Sequence, residues 1–208
     1  MSDLPFALEP ALGAALSRAL DVEGKIPRAL EALGPIVGRD VVLVGGGPLE
    51  TRRLTEAGAR LTGVDPLAPN AAVGWSLPDG RADAVVAAWS GFRGISAAEL
   101  AETERVLRPG GRILVLHDYG RDDVSRLRGD LPEYSAWSRR DGPFLSAGFR
   151  IRVIHCFWTF DSVEAARSFL AGAFGAAGEE VAATLTRPRL SYNVAVYHRT
   201  RGGKAAPA

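Results

Sequence analysis

Three groups of residues in this chain have types and spacings that could do chemistry. Gly45, Gly46 and Gly47 close an apolar run in "VVLVGGGPLETRRLTEAGARLTGVDP", and Asp65 closes the next one. Glycines at a strand-to-helix turn let the backbone approach a ligand and aim N–H groups at its polar atoms. An acid at the end of the following strand can accept both hydroxyls of a ribose. His117, Asp118 and Tyr119 follow a second apolar strand, where they could deprotonate or orient an acceptor, or else cap the strand and pair with Arg121. Trp89 and Ser90 end a third apolar run, and core packing accounts equally well for Trp89. His155 lies inside an apolar segment and reads as a sheet histidine, while His198 reads as a solvated strand residue. Cys156 is the single cysteine, so it forms no disulfide framework and reads as core filler. No His, Cys or carboxylate cluster has metal spacing.

Hydrophobic patterning supplies the elements that must position these residues. "GRDVVLVGGG" reads as a buried strand, "LETRRLTEAGA" as a helix and "RLTGVD" as a second strand, which together make a β-α-β unit. "PLAPNAAVGWSLPDGRA" is turn-rich, with at most one short strand near Val73. "DAVVAAWS" is a continuous apolar run of the kind found in strands buried on both faces. A helix from about Ser96 to Leu107, the turn "RPGG" and the strand "RILVLHDY" follow. "GFRIRVIHCFWTF" makes a long strand, and "DSVEAARSFLAGAFGAAGEEVAATL" a helix interrupted near Gly175 and Gly178. In "RLSYNVAVYHRT", Leu190, Tyr192, Val194 and Val196 alternate with more polar neighbours, which predicts a last strand with one wetter face. At the other end, Leu8, Leu12, Leu16 and Leu20 share one face of an amphipathic helix, and a second short helix covers 27–34.

Strands alternating with helices imply an α/β fold with a doubly wound, mostly parallel sheet of seven strands, Rossmann-like in kind. The expected division is an N-terminal helical cap (1–37), the sheet domain (38–200) and a disordered tail (201–208). With 208 residues and 47% hydrophobic content, one domain can bury a core without staples. Basic and acidic residues nearly cancel, 25 against 24, so no nucleic-acid footprint stands out. No apolar run approaches a membrane span, and "MSDLPFALEP" has no basic leader, so a cytoplasmic protein is expected.

Three elements, in this order, resemble the class I S-adenosylmethionine-dependent methyltransferases: "VLVGGG" with Asp65, "LPDGRADAVVAAWS", and "ELAETERVLRPGGRILVLHDY". The resemblance covers roughly residues 38–160 and implies S-adenosylmethionine as cofactor. It matches Gly45 and Gly47 to the first two glycines of the family turn, with Gly46 between them, and Asp65 to the ribose-binding acid. It places Trp89 and Ser90 where the methionine moiety and the acceptor meet. Leu43 and Leu49 stand where the family has an acid and a third glycine, and no Asp or Glu occurs from Pro66 to Pro78. Backbone groups near Trp75 and Ser76, with the indole as a stacking face, would then meet the adenine.

The expected activity is methyl transfer to oxygen or nitrogen of a small molecule. "WSGF" after the fourth expected strand, in place of an Asn/Asp-Pro-Pro-Tyr stretch, argues against the DNA and glutamine amino-methylating types. Two alternatives stay open. The glycine turn also resembles that of NAD-dependent dehydrogenases of the sirohaem type, although Glu50 replaces their third glycine. The chain could also be a binding protein that kept the fold without turnover. Residues 119–142 read either as a solvated connection or as part of an acceptor pocket, with Tyr134 and Trp137 on one helical face. In the second case residues 5–34 would close over them and over the carboxyl edge of the sheet, giving a mostly apolar pocket.

Overall fold

A computed structural model describes residues 6–67 and 74–202. Two helices lead, α1 (Pro10–Ala19) and α2 (Lys25–Leu33), followed by β1 (Asp40–Val44), α3 (Pro48–Glu56), β2 (Arg60–Val64) and β3 (Ala82–Ala88). Next come α4 (Ala97–Val106), β4 (Leu107–Asp118) and three short helices, α5 (Asp123–Arg128), α6 (Pro132–Ser135) and α7 (Pro143–Ser146). The chain ends with β5 (Arg150–Thr159), α8 (Val163–Thr184) and β6 (Arg189–Thr200).

The described strands form one six-stranded sheet in the order β2-β1-β3-β4-β6-β5. β1 to β4 run parallel, and β6 runs antiparallel to both β4 and β5. The seventh expected strand, near Val73, lies outside the described residues. β6 is not the half-wet strand that its alternation predicts: it is buried continuously from Tyr192 to Tyr197, because strands flank it on both sides and helices cover both faces.

Side chains alternate across a strand, so the sheet divides the core in two. On one face Leu43, Ala84, Leu114, Leu116, Val194 and Val196 pack with residues of α1, α2 and α8. On the other Val42, Val44, Val85, Val115 and Ala195 pack with Val106 of α4 and with Trp137, Phe144 and Phe149. Side-chain caps start several helices: Ser96 accepts from the Glu99 amide, Ser162 from the Ala165 amide, and Asp122 makes a capping box with Ser125.

Two glycine-rich stretches behave in ways that only the packing reveals. "RPGG" is a bulge inside β4 rather than a turn ahead of it, since Leu107 already pairs with Ala82 and Arg112 resumes the ladder at Ala84. α8 folds back on itself at Gly175 (φ 54°, ψ −134°), as its interruption there predicts. Its two halves pack so closely that a Cβ on Gly178 would lie 1.9 Å from the Leu170 carbonyl oxygen. Arg167 closes the fold-back by donating to the carbonyls of Ala182 and Leu185, both at 2.9 Å.

The N-terminal helices lie only in part where expected. α1 packs on α8 and β5, and α2 on β4, β5 and β6, so both lie on a face of the sheet, while Leu20 bridges Trp158 and the Asp21 amide donates to the Phe157 carbonyl near the carboxyl end of β5. One link to the 119–142 region is Phe6, whose ring lies 4.7 Å from the Arg128 guanidinium. Tyr134 and Trp137 do not share a helical face, because α6 ends at Ser135. Tyr134 packs on Gly120, whereas Trp137 packs on His117. No helix among the described residues is long and apolar enough to cross a membrane.

Candidate functional site

Val44 pairs with Val64 on one side and Ala87 on the other, so the turns after β1, β2 and β3 leave the sheet together. Gly45 takes the left-handed backbone that glycine tolerates (φ 68°). The Ser90 hydroxyl donates to the Gly45 carbonyl at 2.8 Å, joining two predicted site segments. Gly46 sits directly on Leu43: a Cβ there would lie 2.5 Å from Leu43 Cδ2. The leucine in the family acid's place therefore fills the floor of the turn, and Leu49 is likewise core. The amides of Gly46 and Gly47 donate to no group among the described residues, and no side chain caps α3 at Gly47.

Asp65 stands exposed at the end of β2, and its carboxylate makes no hydrogen bond or ion pair among the described residues. Trp75 reaches it from the next segment, its indole N–H donating to the Asp65 carbonyl at 2.9 Å. The role expected of Trp75 at the adenine does not match its contacts. Its amide donates to Glu102 at 2.7 Å, its carbonyl accepts from Arg105 at 3.2 Å, and its indole is buried in the core. Glu102 and Arg105 of α4 thereby fasten this segment to the sheet, while Ser76 beside it stays exposed.

The turn after β3 is held under strain. Trp89 (φ 58°) and Phe92 (φ 51°) are non-glycine residues in the left-handed region, a costly conformation that surrounding contacts must impose. Trp89 is 3% exposed, lies 6.3 Å from the Tyr192 ring and has an indole N–H without a partner among the described residues. The Phe92 amide donates to Glu99 at 3.1 Å. Its carbonyl lies 2.9 Å from His117 Nε2, which must be the donor.

His117, Asp118 and Tyr119 do not form one constellation, because strand alternation sends the middle residue to the opposite face. Burial drives the His117 pKa from 6.5 to about 3, so the imidazole is neutral, enclosed edge-on against Trp137 and tied through Nε2 to the Phe92 carbonyl. Asp118 is engaged across the sheet by the Tyr192 hydroxyl and by Arg128, both at 2.5 Å. Burial raises its pKa, and those two partners oppose the rise. Tyr119 is half-buried, with the Arg121 guanidinium 5.8 Å from its ring. His155 is the expected sheet histidine, its Nδ1 2.8 Å from the Asn193 side-chain oxygen.

The strand order, with an antiparallel β6 inserted between β4 and β5, and the joined turns at the carboxyl edge can be set beside known proteins. No family profile matches the chain. Over 137 residues it is 39% identical to the ubiquinone/menaquinone biosynthesis C-methyltransferase UbiE of Methylobacterium nodulans, a match covering 62% of this chain. The aligned part spans about half, 52%, of that relative's length. A putative methyltransferase from an antibiotic biosynthesis pathway of Anabaena variabilis superposes with a TM-score of 0.52 at 14% identity, over 88% of this chain and 99% of that one. A SAM-dependent methyltransferase from Aquifex aeolicus gives 0.51 at 17% identity, over 92% and 98%. The chain has the Rossmann-like methyltransferase fold.

Within this methyltransferase fold, several residues that shape the carboxyl edge escape a reading of the sequence. Glu99 and Glu102 sit on a helix whose acids look like surface residues, yet both face the loops. Arg93 and Glu133 pair across the edge at 2.5 Å. One signal pointed to Arg93: it is the single basic residue between Arg81 and Arg105.

Proposed function

We propose that this protein transfers a methyl group from S-adenosylmethionine to an oxygen or nitrogen atom of a small molecule. The supporting observation is the pairing of free groups on adjacent strand ends. The Gly46 and Gly47 amides and the Asp65 carboxylate are all without partners among the described residues, as a nucleoside ligand would require. Bound there, the cofactor supplies a methyl group already activated on its sulfonium. Asp65 then holds the ribose, the glycine turn approaches the methionine moiety, and the Trp89–Ser90 turn sets the floor on which the acceptor is placed. His117 and Asp118 are committed to structure, so rate enhancement rests on positioning rather than on proton removal by either group. The antiparallel β6 departs from the strand order of dinucleotide dehydrogenases, which disfavours the NAD reading.

Calorimetric titration with S-adenosylmethionine and S-adenosylhomocysteine tests the proposal, and absence of heat at millimolar ligand would overturn it. Asp65→Ala should weaken binding by about tenfold or more through loss of the ribose contacts, with melting unchanged because the side chain is exposed. Turnover of a methyl-labelled cofactor against a set of phenols, amines and activated carbon acids, read by NMR, identifies the acceptor atom. It also separates an enzyme from a binding protein of the same fold. The relative from Methylobacterium is named for carbon methylation, so the carbon acids are the necessary comparison.

A further inference from the structure

The loop after β3 holds one arginine in a position fixed from several sides. Trp89 and Phe92 are strained, and both backbone groups of Phe92 are held by buried side chains from different elements, Glu99 on the amide and His117 on the carbonyl. Arg93 therefore leaves the backbone from a fixed point. Its guanidinium lies 5.3 Å from the Trp137 ring and 2.5 Å from a Glu133 carboxylate oxygen. Glu133 is completely buried, whereas Arg93 is 50% exposed. Burying a carboxylate against a single cation is costly, and exchanging such a pair for apolar residues often stabilises a fold. The arrangement is poorly explained by stability and well explained as a device for orienting a guanidinium. Arg93 also acts electrostatically on both His117 and Asp118, the last residues of β4, so the cation stands over the carboxyl edge.

We infer that Arg93 is the specificity-determining residue of the acceptor site and that the acceptor carries a carboxylate on an aromatic or similarly flat body. The inference rests on reading the carboxyl edge as a methyltransferase site. A guanidinium has five N–H donors in a planar fork that matches a carboxylate, and Glu133 leaves part of that fork open to solvent. Glu133 also sets the charge. It offsets part of the arginine's field, which suits a monoanion better than a phosphate dianion. Tyr119, half-buried on the same strand face as His117, supplies a flat wall for the body of the ligand, and Trp137 supports Arg93 from beneath. This adds a charged end to the mostly apolar pocket expected from the sequence.

The test titrates benzoate, benzamide and phenyl phosphate into the full-length protein, with and without S-adenosylhomocysteine. Benzoate should bind about tenfold tighter than benzamide and tighter than phenyl phosphate. The double variant Arg93→Gln/Glu133→Gln, which leaves no buried charge unpaired, should erase the preference for benzoate while melting stays close to that of the parent. Glu133→Gln alone should raise benzoate affinity several-fold by releasing the guanidinium, an effect that a purely structural pair would not produce. Equal binding of benzoate and benzamide, or a preference that survives in the double variant, overturns the inference. Tighter binding of phenyl phosphate overturns the carboxylate assignment. If the double variant loses S-adenosylhomocysteine affinity while methylthioadenosine binds as before, Arg93 holds the cofactor's own carboxylate and the acceptor assignment fails. Failure of S-adenosylhomocysteine to bind the parent protein refutes the proposed function instead, and the titrations without it still decide the role of Arg93.

Discussion

Acidification should destabilise this protein through one imidazole. His117 is fully enclosed, and burial lowers its pKa from 6.5 to about 3. Between those values the unfolded chain takes up a proton that the native state excludes, so stability rises with pH across this window and is lost as pH falls through it. Each pKa unit is worth about 1.4 kcal/mol, which gives a loss of about 2 kcal/mol on reaching pH 5. The ceiling, near pH 3, is about 5 kcal/mol, a large share of the roughly 5–15 kcal/mol that holds a domain together. Asp118 and Asp122 act in the opposite sense: burial raises their pKa values, so their contribution is present at low pH and lost as pH rises. The imidazole must therefore be isolated by difference. His117→Gln keeps an N–H for the Phe92 carbonyl but cannot titrate. Urea unfolding at about pH 7.5 and about pH 5 should show the parent losing about 2 kcal/mol more than the variant. Equal losses would refute the assignment of a neutral, buried imidazole.

Three further substitutions test the packing around the site. Gly46→Ala would put its Cβ 2.5 Å from Leu43 Cδ2 and should cost about 1–3 kcal/mol alone, but much less when combined with Leu43→Ala, where the new methyl enters vacated space. Denaturation that shows the two changes adding to within about 0.5 kcal/mol would disprove the contact. Gly178→Ala drives a Cβ against backbone at 1.9 Å, whereas Gly172→Ala meets only the Leu12 side chain at 3.3 Å, so thermal melts should show a far larger loss for the former. Asp118→Asn should cost about 3–5 kcal/mol by removing the charge of one member of a buried ion pair. Arg126→Ala, which breaks the exposed pair with Asp123, should cost less than about 1 kcal/mol, and similar values for the two would remove the argument from burial.

What the sequence revealed was whatever depends on neighbours along the chain. β1, α3, β2 and β3 are legible because their apolar runs are continuous and bounded by glycine, proline or an acid. The junction of Gly45 with Ser90 follows from knowing where two such strands end. What stayed hidden depends on partners distant in sequence. The alternation in β6 looked like a wet face, yet the Ser191 and Asn193 amides donate to Asp123 and Asp122, both at 2.8 Å. The bulge at "RPGG" exists only because Leu107 finds Ala82 on a neighbouring strand. Trp75 looked available to a ligand because Glu102 and Arg105, which occupy its backbone, lie far along the chain on α4. Arg93 likewise gains its meaning from Glu133 and Trp137, which no local pattern connects to it.

The position of β6 bears on how the chain is made. It follows β5 in the chain, yet it takes an inner place, between β4 and β5. Until it emerges from the ribosome, β4 presents an open edge and β5, with Phe157 and Trp158 near its end, has no strand to pair with. Such edges are templates for pairing with other chains, so the nascent protein is exposed to aggregation until β6 is made. Closure of this half of the sheet must wait for β6, which makes its folding cooperative rather than progressive. A nonsense mutation or proteolytic cut that removes β6 therefore splits the sheet through its interior, and the shortened product would meet cellular quality control as an unfolded chain.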